Sequence, residues 1–199
     1  MTQYLHMPWS IAVFAALLLI FLAVPLVIYM RRTSDQRQTQ KIIKRYSLAV
    51  EKDIVLADGI DGYLFVDYLI LLRGKIIVMK VETNRGYIFG GEKIDEWTCV
   101  ENNKTGKFKN PLQEVGFFAQ QVKHVSGFDA VDACVLFGSK ALFPKGVPAG
   151  VLQMTSFAEE LAALTGSDDD QHETAQKAWE KLVAIMHEDK RQLNAVLTS

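Results

Sequence analysis

Three charged side chains interrupt the two otherwise apolar runs over residues 64–72 and 76–82. Two β-branched and aromatic runs flank the turn Arg73-Gly74-Lys75, a pattern that predicts two antiparallel strands with a tight connection. Asp67 lies on the first strand, and Lys80 and Glu82, which must share a face because they are two residues apart, lie on the second. Charged side chains are rarely buried unless they are paired or bind a metal. With Asp67 on that face, the group is either a structural ion-paired cluster or a metal-dependent nuclease site.

The composition fits one ordinary domain with appendages. The chain has 199 residues and a formal net charge of −1, so no global field favours DNA or RNA. Its two cysteines, Cys99 and Cys134, are too few and too far apart for a zinc motif, and we interpret both as semi-buried thiols.

Residues 9–30 form an almost unbroken apolar run, which is long enough to span the hydrocarbon core of a bilayer. A cleaved signal peptide would need a positive segment before the run and a small-residue cleavage site after it. Here no Lys or Arg precedes the run, and Arg31-Arg32 follows it. We therefore expect a retained single-pass anchor that places the lipid bilayer among the partners of the chain.

The distribution of basic residues predicts the orientation of this anchor. The segment before it has no Lys or Arg, whereas residues 31–45 contain six. The positive-inside rule then places the N-terminus outside and the rest of the chain in the cytoplasm, so we expect an inner-membrane protein.

Periodicity and turn residues predict a mixed α/β (α+β) domain in which helices cover a sheet. We expect four regions: an anchor over 1–32, a linker over 33–40, a domain over 41–165 and a C-terminal helical extension over 166–199. The predicted helices cover residues 40–51, a segment that starts at Asn110-Pro111, 157–164 and about 173–197. Beside the central pair, the predicted strands cover 53–57, 87–89, 97–100, 131–137 and 151–154, and a polar loop covers 101–107.

The central block and the segment after it resemble a known family. Asp67 in an apolar strand is followed by the segment Ile77-Val-Met-Lys-Val-Glu-Thr-Asn-Arg-Gly86, then by Trp97, and then by Phe108-Lys-Asn-Pro-Leu-Gln113 at the start of a helix. This run is similar to the nuclease-related domain (NERD). The resemblance covers roughly residues 41–154 and implies the PD-(D/E)xK restriction-endonuclease-like fold, here preceded by one transmembrane helix.

The resemblance also implies a set of site residues. The family has an Asp on one strand and Glu-x-Lys on the next, which assigns catalytic positions to Asp67, Lys80 and Glu82, with Asp67 and Glu82 as ligands of Mg²⁺. Lys80 stands where the family has Glu, and Glu82 stands where it has Lys. Glu114 occupies a helix position at which the family tends to have Gln. The exchange moves each group by two residues, about 7 Å along a strand.

Two functions are compatible with these residues. The first is a membrane-anchored nuclease-related protein with an altered metal site that binds nucleic acid or processes it as a Mg²⁺-dependent phosphodiesterase. The second is a non-catalytic protein-interaction module in a membrane-associated complex, in which Lys80 pairs with Asp67 and Glu82. Lysines near Phe108, such as Lys107 and Lys109, either contact a nucleic-acid backbone or form ordinary solvated surface.

Overall fold

The computed structural model describes Phe21 and residues 35–60, 62–164 and 171–197. Residues up to 39 and residues from 40 onward belong to two separate compact units. Apart from Phe21, the predicted anchor lies outside the described residues, so it stays a prediction. Within the described part of the chain, no helix is both long enough and apolar enough to cross a bilayer.

Five strands form the main sheet, in the order β1-β2-β3-β7-β9. They are β1 (Ala49–Ala57), β2 (Tyr63–Leu72), β3 (Lys75–Glu82), β7 (Val131–Phe137) and β9 (Val151–Gln153). The first three pair antiparallel, which confirms the predicted hairpin; β7 then pairs in parallel with β3, and β9 pairs in parallel with β7. The central strand of this mixed sheet is therefore β3, which carries two of the three predicted site residues.

Four strands form a second mixed sheet, in the order β6-β5-β4-β8. They are β4 (Gly86–Phe89), β5 (Glu96–Glu101), β6 (Lys104–Lys109) and β8 (Ala141–Leu142). The prediction of a polar loop over 101–107 was wrong, because β5 and β6 form a tight hairpin. Asn102 and Asn103 at its turn have φ angles of 50° and 61°, as the favoured two-residue hairpin turns require.

Helices cover both faces of the main sheet. They are α1 (residues 35–46), α2 (Pro111–Ser126), α3 (Phe157–Leu164) and α4 (His172–Leu197). Buried residues of α2 and α4 share one core with β1, β2, β3 and β7, and those of α1 and α3 share a second core on the opposite face. The predicted mixed sheet with flanking helices is confirmed at this level. The last helix, predicted as an extension, contributes Leu182 and Met186 to the first core.

The prediction for the first helix was wrong at both ends. A helix was expected over 40–51 after a linker, but residues 35–46 are helical and β1 begins at Ala49. Ala49 to Lys52 pair with Leu71 to Tyr68 of β2. Strand pairing with a neighbour far along the chain therefore overrides the helical spacing of the local sequence.

The start of α2 agrees with the prediction in detail. The Asn110 side chain accepts a hydrogen bond from the Leu112 N–H at 2.9 Å, and Pro111 occupies the first turn, where its missing N–H costs nothing. The Asn110 amide also donates to the Gly91 and Glu92 carbonyls, so the cap ties α2 to the loop between β4 and β5.

Trp97 anchors the second sheet to the main one. Its indole is fully buried and stacks on Phe137 of β7 with ring centroids 6.0 Å apart. Gly90 passes close to this ring, and a Cβ added there would lie 2.1 Å from Trp97 Cδ2. Only glycine fits at this position, because any side chain would push the indole out of its contact.

Gly90→Ala is expected to lower the free energy of unfolding by about 2–3 kcal/mol, because the new methyl group overpacks the Trp97 contact. Urea denaturation followed by circular dichroism measures the loss. Gly91→Ala is the matched control, because its Cβ would make only an ordinary contact 3.6 Å from Ile94, and we expect little change. Equal stability of the two variants would contradict this packing.

Candidate functional site

Asp67 lies where β2 separates from β3. The two strands pair as far as Tyr68 and Met79, whereas β3 stays paired with β7 up to Glu82. Beyond Met79 the amide of Val81 has no backbone acceptor on β2, and the Asp67 carboxylate takes that place at 2.7 Å. The acid therefore extends the strand pairing with its side chain.

A distortion shared by two strands sets the position of Asp67. Val66 packs in the core on the α2 side of the sheet, but Tyr68 packs in the core on the opposite side, although the two residues should share a face. At the same level of β1, Asp53 has a φ of 50°, in the left-handed region that a non-glycine residue rarely adopts. The change of phase at this point leaves Asp67 beside the open end of β3.

Lys80 forms an ion pair with Glu114 in the first turn of α2. Lys80 lies on the same face of β3 as the buried residues Ile76 and Val78, because side chains two residues apart on a strand point the same way. This face packs toward α2. Its side chain is 24% exposed, and that of Glu114 is 53% exposed. The anion that pairs with the Lys80 ammonium therefore comes from the helix rather than from the neighbouring strand.

Glu82 caps the turn that links the two sheets. One of its oxygens, Oε1, accepts hydrogen bonds from the Thr83 N–H at 2.9 Å, the Asn84 N–H at 3.2 Å and the Asn84 side-chain amide at 2.8 Å. The Asn84 oxygen in turn accepts from the Cys99 thiol of β5 at 3.7 Å. Glu82 thus stabilises the connection from β3 to β4.

The three predicted site residues are neighbours, but each has a separate partner. We expected Lys80 to pair with Asp67 and Glu82 if the cluster were structural; among the described residues its ion pair is with Glu114 instead. The charge of the lysine is neutralised, as that interpretation required. The anion is one that the interpretation did not include.

The donor set does not fit the predicted Mg²⁺ site. One oxygen of each carboxylate, Oδ2 of Asp67 and Oε1 of Glu82, accepts a main-chain N–H, and the residue two positions before Glu82 on β3 is Lys80. A hard divalent cation needs several free oxygen ligands and is repelled by an adjacent ammonium. No group of three or more His, Cys, Asp or Glu side chains among the described residues could hold a metal ion.

Cys134 offers no reactive thiolate in this region. Burial raises the pKa of the Cys134 thiol to about 12, and negative charge on Asp132 and Glu160 adds to that effect. The thiol therefore stays protonated at neutral pH. Both cysteines are free, and Cys99 is partly buried as predicted, whereas Cys134 is fully buried rather than semi-buried.

A family model of the nuclease-related domain (NERD) matches residues 32–139, which is more than half of the chain. The chain therefore belongs to the nuclease-related domain family, and the resemblance inferred from the sequence is confirmed. Searches of curated proteins and of solved structures found no match. The matched segment contains Asp67, Lys80, Glu82 and Glu114.

Sequence reasoning missed the roles of Glu114 and Asn84. Glu114 was noted only as a departure from the Gln of the family pattern. The family pattern itself contained the signal. Lys80 replaces an acidic residue of the pattern and Glu114 replaces a neutral Gln, so one change adds a positive charge and the other adds a negative charge. Two such changes compensate each other if the two side chains are in contact. Asn84 had no such signal, since side-chain contacts within a turn depend on the backbone path.

Asp67→Ala is expected to lower the free energy of unfolding by about 1–2 kcal/mol, because it removes the acceptor of the Val81 N–H. Asp67→Asn keeps an acceptor oxygen, so its loss should stay below about 1 kcal/mol. Urea denaturation of the two variants and of the wild type separates these outcomes. If both variants were more stable than the wild type, the result would contradict this role, because the hydrogen bond from the Val81 N–H to Asp67 would then not stabilise the fold.

Proposed function

We propose that this protein is a membrane-anchored member of the nuclease-related domain family that binds nucleic acid without hydrolysing it. The observation that carries the proposal is the Lys80–Glu114 ion pair. It puts an ammonium at the position where the family resemblance implies a metal-binding glutamate. Nucleic acid is the ligand because the family is nuclease-related, and the loss of one catalytic group does not remove an ancestral binding surface.

The altered site explains why binding is proposed without cleavage. Hydrolysis of a phosphodiester in such a fold needs two carboxylates with free oxygens and a lysine beside them. The position of each group must be correct to within about 1 Å. One oxygen of Asp67 and one oxygen of Glu82 are held by main-chain donors. Lys80 is held by α2, and its displacement of about two residues along the strand exceeds that tolerance.

The restriction-endonuclease-like arrangement is also part of the proposal. It is supported by the order of elements, in which the β2–β3 hairpin with Asp67 leads through the second sheet and α2 to β7, a strand parallel to β3. A parallel strand reached through a crossover helix is the common way to extend such a sheet.

The membrane anchor is the second part of the proposal. It is supported by the apolar run over 9–30 and by the six Lys and Arg residues between 31 and 45. In this proposal the nuclease-related domain lies on the cytoplasmic side of the inner membrane, where it can meet nucleic acid.

A protein-interaction module is the second candidate. The observation that favours it is the apolar end of α4, where Val196 and Leu197 are 67% and 73% exposed. Exposed apolar side chains at one helix end suit a protein partner in a membrane-associated complex.

The full-length protein, purified in a mild detergent, is expected to bind labelled oligonucleotides at low salt and to leave them intact in the presence of Mg²⁺ or Mn²⁺. Fluorescence anisotropy measures binding, and gel electrophoresis measures cleavage. Binding should weaken steeply with salt, because phosphate contacts release counterions.

The control is the triple variant Lys80→Glu/Glu82→Lys/Glu114→Gln, which restores the residues of the family pattern. If the folded chain can support hydrolysis, metal-dependent cleavage should appear in this variant and not in the wild type. Cleavage by the wild type that Asp67→Asn abolishes would refute the non-catalytic site. The absence of any binding at low salt would refute nucleic acid as the ligand and favour the interaction module.

A further inference from the structure

The four-stranded sheet has one face that no described element covers. Ile88, Trp97 and Ala141 face the core and are buried. Strand alternation places the neighbouring side chains on the other side, which we call the outer face. Its members on the four strands include Tyr87, Phe89, Thr98, Val100, Lys107 and Leu142.

Exposed aromatic and apolar groups form a row across this face. Tyr87 on β4 is 52% exposed and lies in register with Val100 on β5 and Leu142 on β8. Leu142 is itself 51% exposed. Phe89 stands on the same face two residues along β4, about 7 Å from Tyr87. Both rings therefore lie on the outer face, where Phe89 is less exposed than Tyr87.

Basic groups accompany the rings. The Lys145 ammonium lies 5.9 Å from the centroid of the Phe89 ring, and Lys107 is 66% exposed in the row that contains Phe89. Lys107 is paired with Glu96. Across the sheet and its flanking loops, residues 85–109 and 140–145 contain seven Lys and Arg and four Asp and Glu. This part of the chain is locally positive although the whole chain has a net charge of −1.

We propose that the outer face of the second sheet binds single-stranded nucleic acid, with Tyr87 and Phe89 as stacking surfaces for bases and Lys107, Lys109 and Lys145 as partners of the phosphates. This rests on the proposed function and names its ligand class and its surface. Unpaired bases stack on exposed aromatic rings, whereas a duplex keeps its bases inside. The occupant is single-stranded because only unpaired bases use both the rings and the lysines.

The alternative occupants use only half of these features. An apolar protein surface would cover Tyr87 and Leu142 but would make no use of the positive charge of the lysines. A duplex would use the lysines but not the rings, since its phosphates lie outside the stacked bases. Both alternatives therefore predict different results in a binding measurement.

The test uses the full-length protein in mild detergent and three fluorescein-labelled probes of equal length: oligo(dT), oligo(U) and a DNA duplex. Tyr87→Ala is expected to weaken binding of the single strands between about fivefold and about a hundredfold, the value of one lost stacking contact. Tyr87→Phe keeps the ring and should bind nearly as well as the wild type. Lys109→Gln should reduce the slope of log affinity against log salt by about one.

Phe117→Ala is the matched control, because Phe117 on α2 is also 52% exposed but lies away from the outer face. It should leave binding unchanged. A preference for oligo(dT) or for oligo(U) assigns the single strand to DNA or RNA, and either result supports the inference.

Two results overturn the inference and are distinguishable from failure of the proposed function. If Tyr87→Ala binds single strands as tightly as the wild type, or if the duplex binds as tightly as the single strands, nucleic acid binds elsewhere and the proposed function stands without this surface. If no probe binds at low salt, the proposed function and the inference both fail.

Discussion

The ion pair between Lys80 and Glu114 is the contact on which the rest of the site depends. The Lys80 side chain is only 24% exposed at the end of a central strand, and its ammonium is paired with a carboxylate from outside the sheet. Glu114 supplies that anion from the first turn of α2, where a carboxylate is also favoured by the helix dipole. The pair fixes the start of α2 against β3, and it occupies the position at which the family resemblance implies a metal-binding group.

The neighbouring charges are held by the same strand end. β2 leaves β3 after Met79, so Asp67 completes the pairing through its side chain, and Glu82 closes the turn into the second sheet. The second sheet therefore begins directly after Glu82, one of the three predicted site residues. In the proposed function, the contacts that Asp67, Lys80 and Glu82 make with the fold prevent hydrolysis, and the domain keeps an exposed sheet face that can bind a ligand.

Much of the framework could be predicted because it is encoded locally. The β2–β3 hairpin has two apolar runs around a glycine turn, and α2 has an Asn cap, a proline and a regular buried stripe. The misses involve contacts between distant residues. The sequence of β6 is polar on its exposed face and predicts a loop, but the segment is a strand because it pairs with β5. The start of β1 has helical spacing, but pairing with β2 makes it a strand. For the same reason Lys80 was placed correctly on its strand, but its partner, 34 residues away, was not foreseen.

A double-mutant cycle on Lys80 and Glu114 tests the central claim most directly. Lys80→Met, Glu114→Gln and the double variant are compared by urea denaturation, with the exposed pair Lys177–Glu173 on α4 as the matched control. The account predicts a coupling energy of about 1 kcal/mol for Lys80 and Glu114 and a clearly smaller one for the control pair, whose side chains are 71% and 81% exposed and whose charges are therefore screened by solvent. A coupling for Lys80 and Glu114 no larger than that of the control would contradict the account, because the lysine would then have no structural need of the helix.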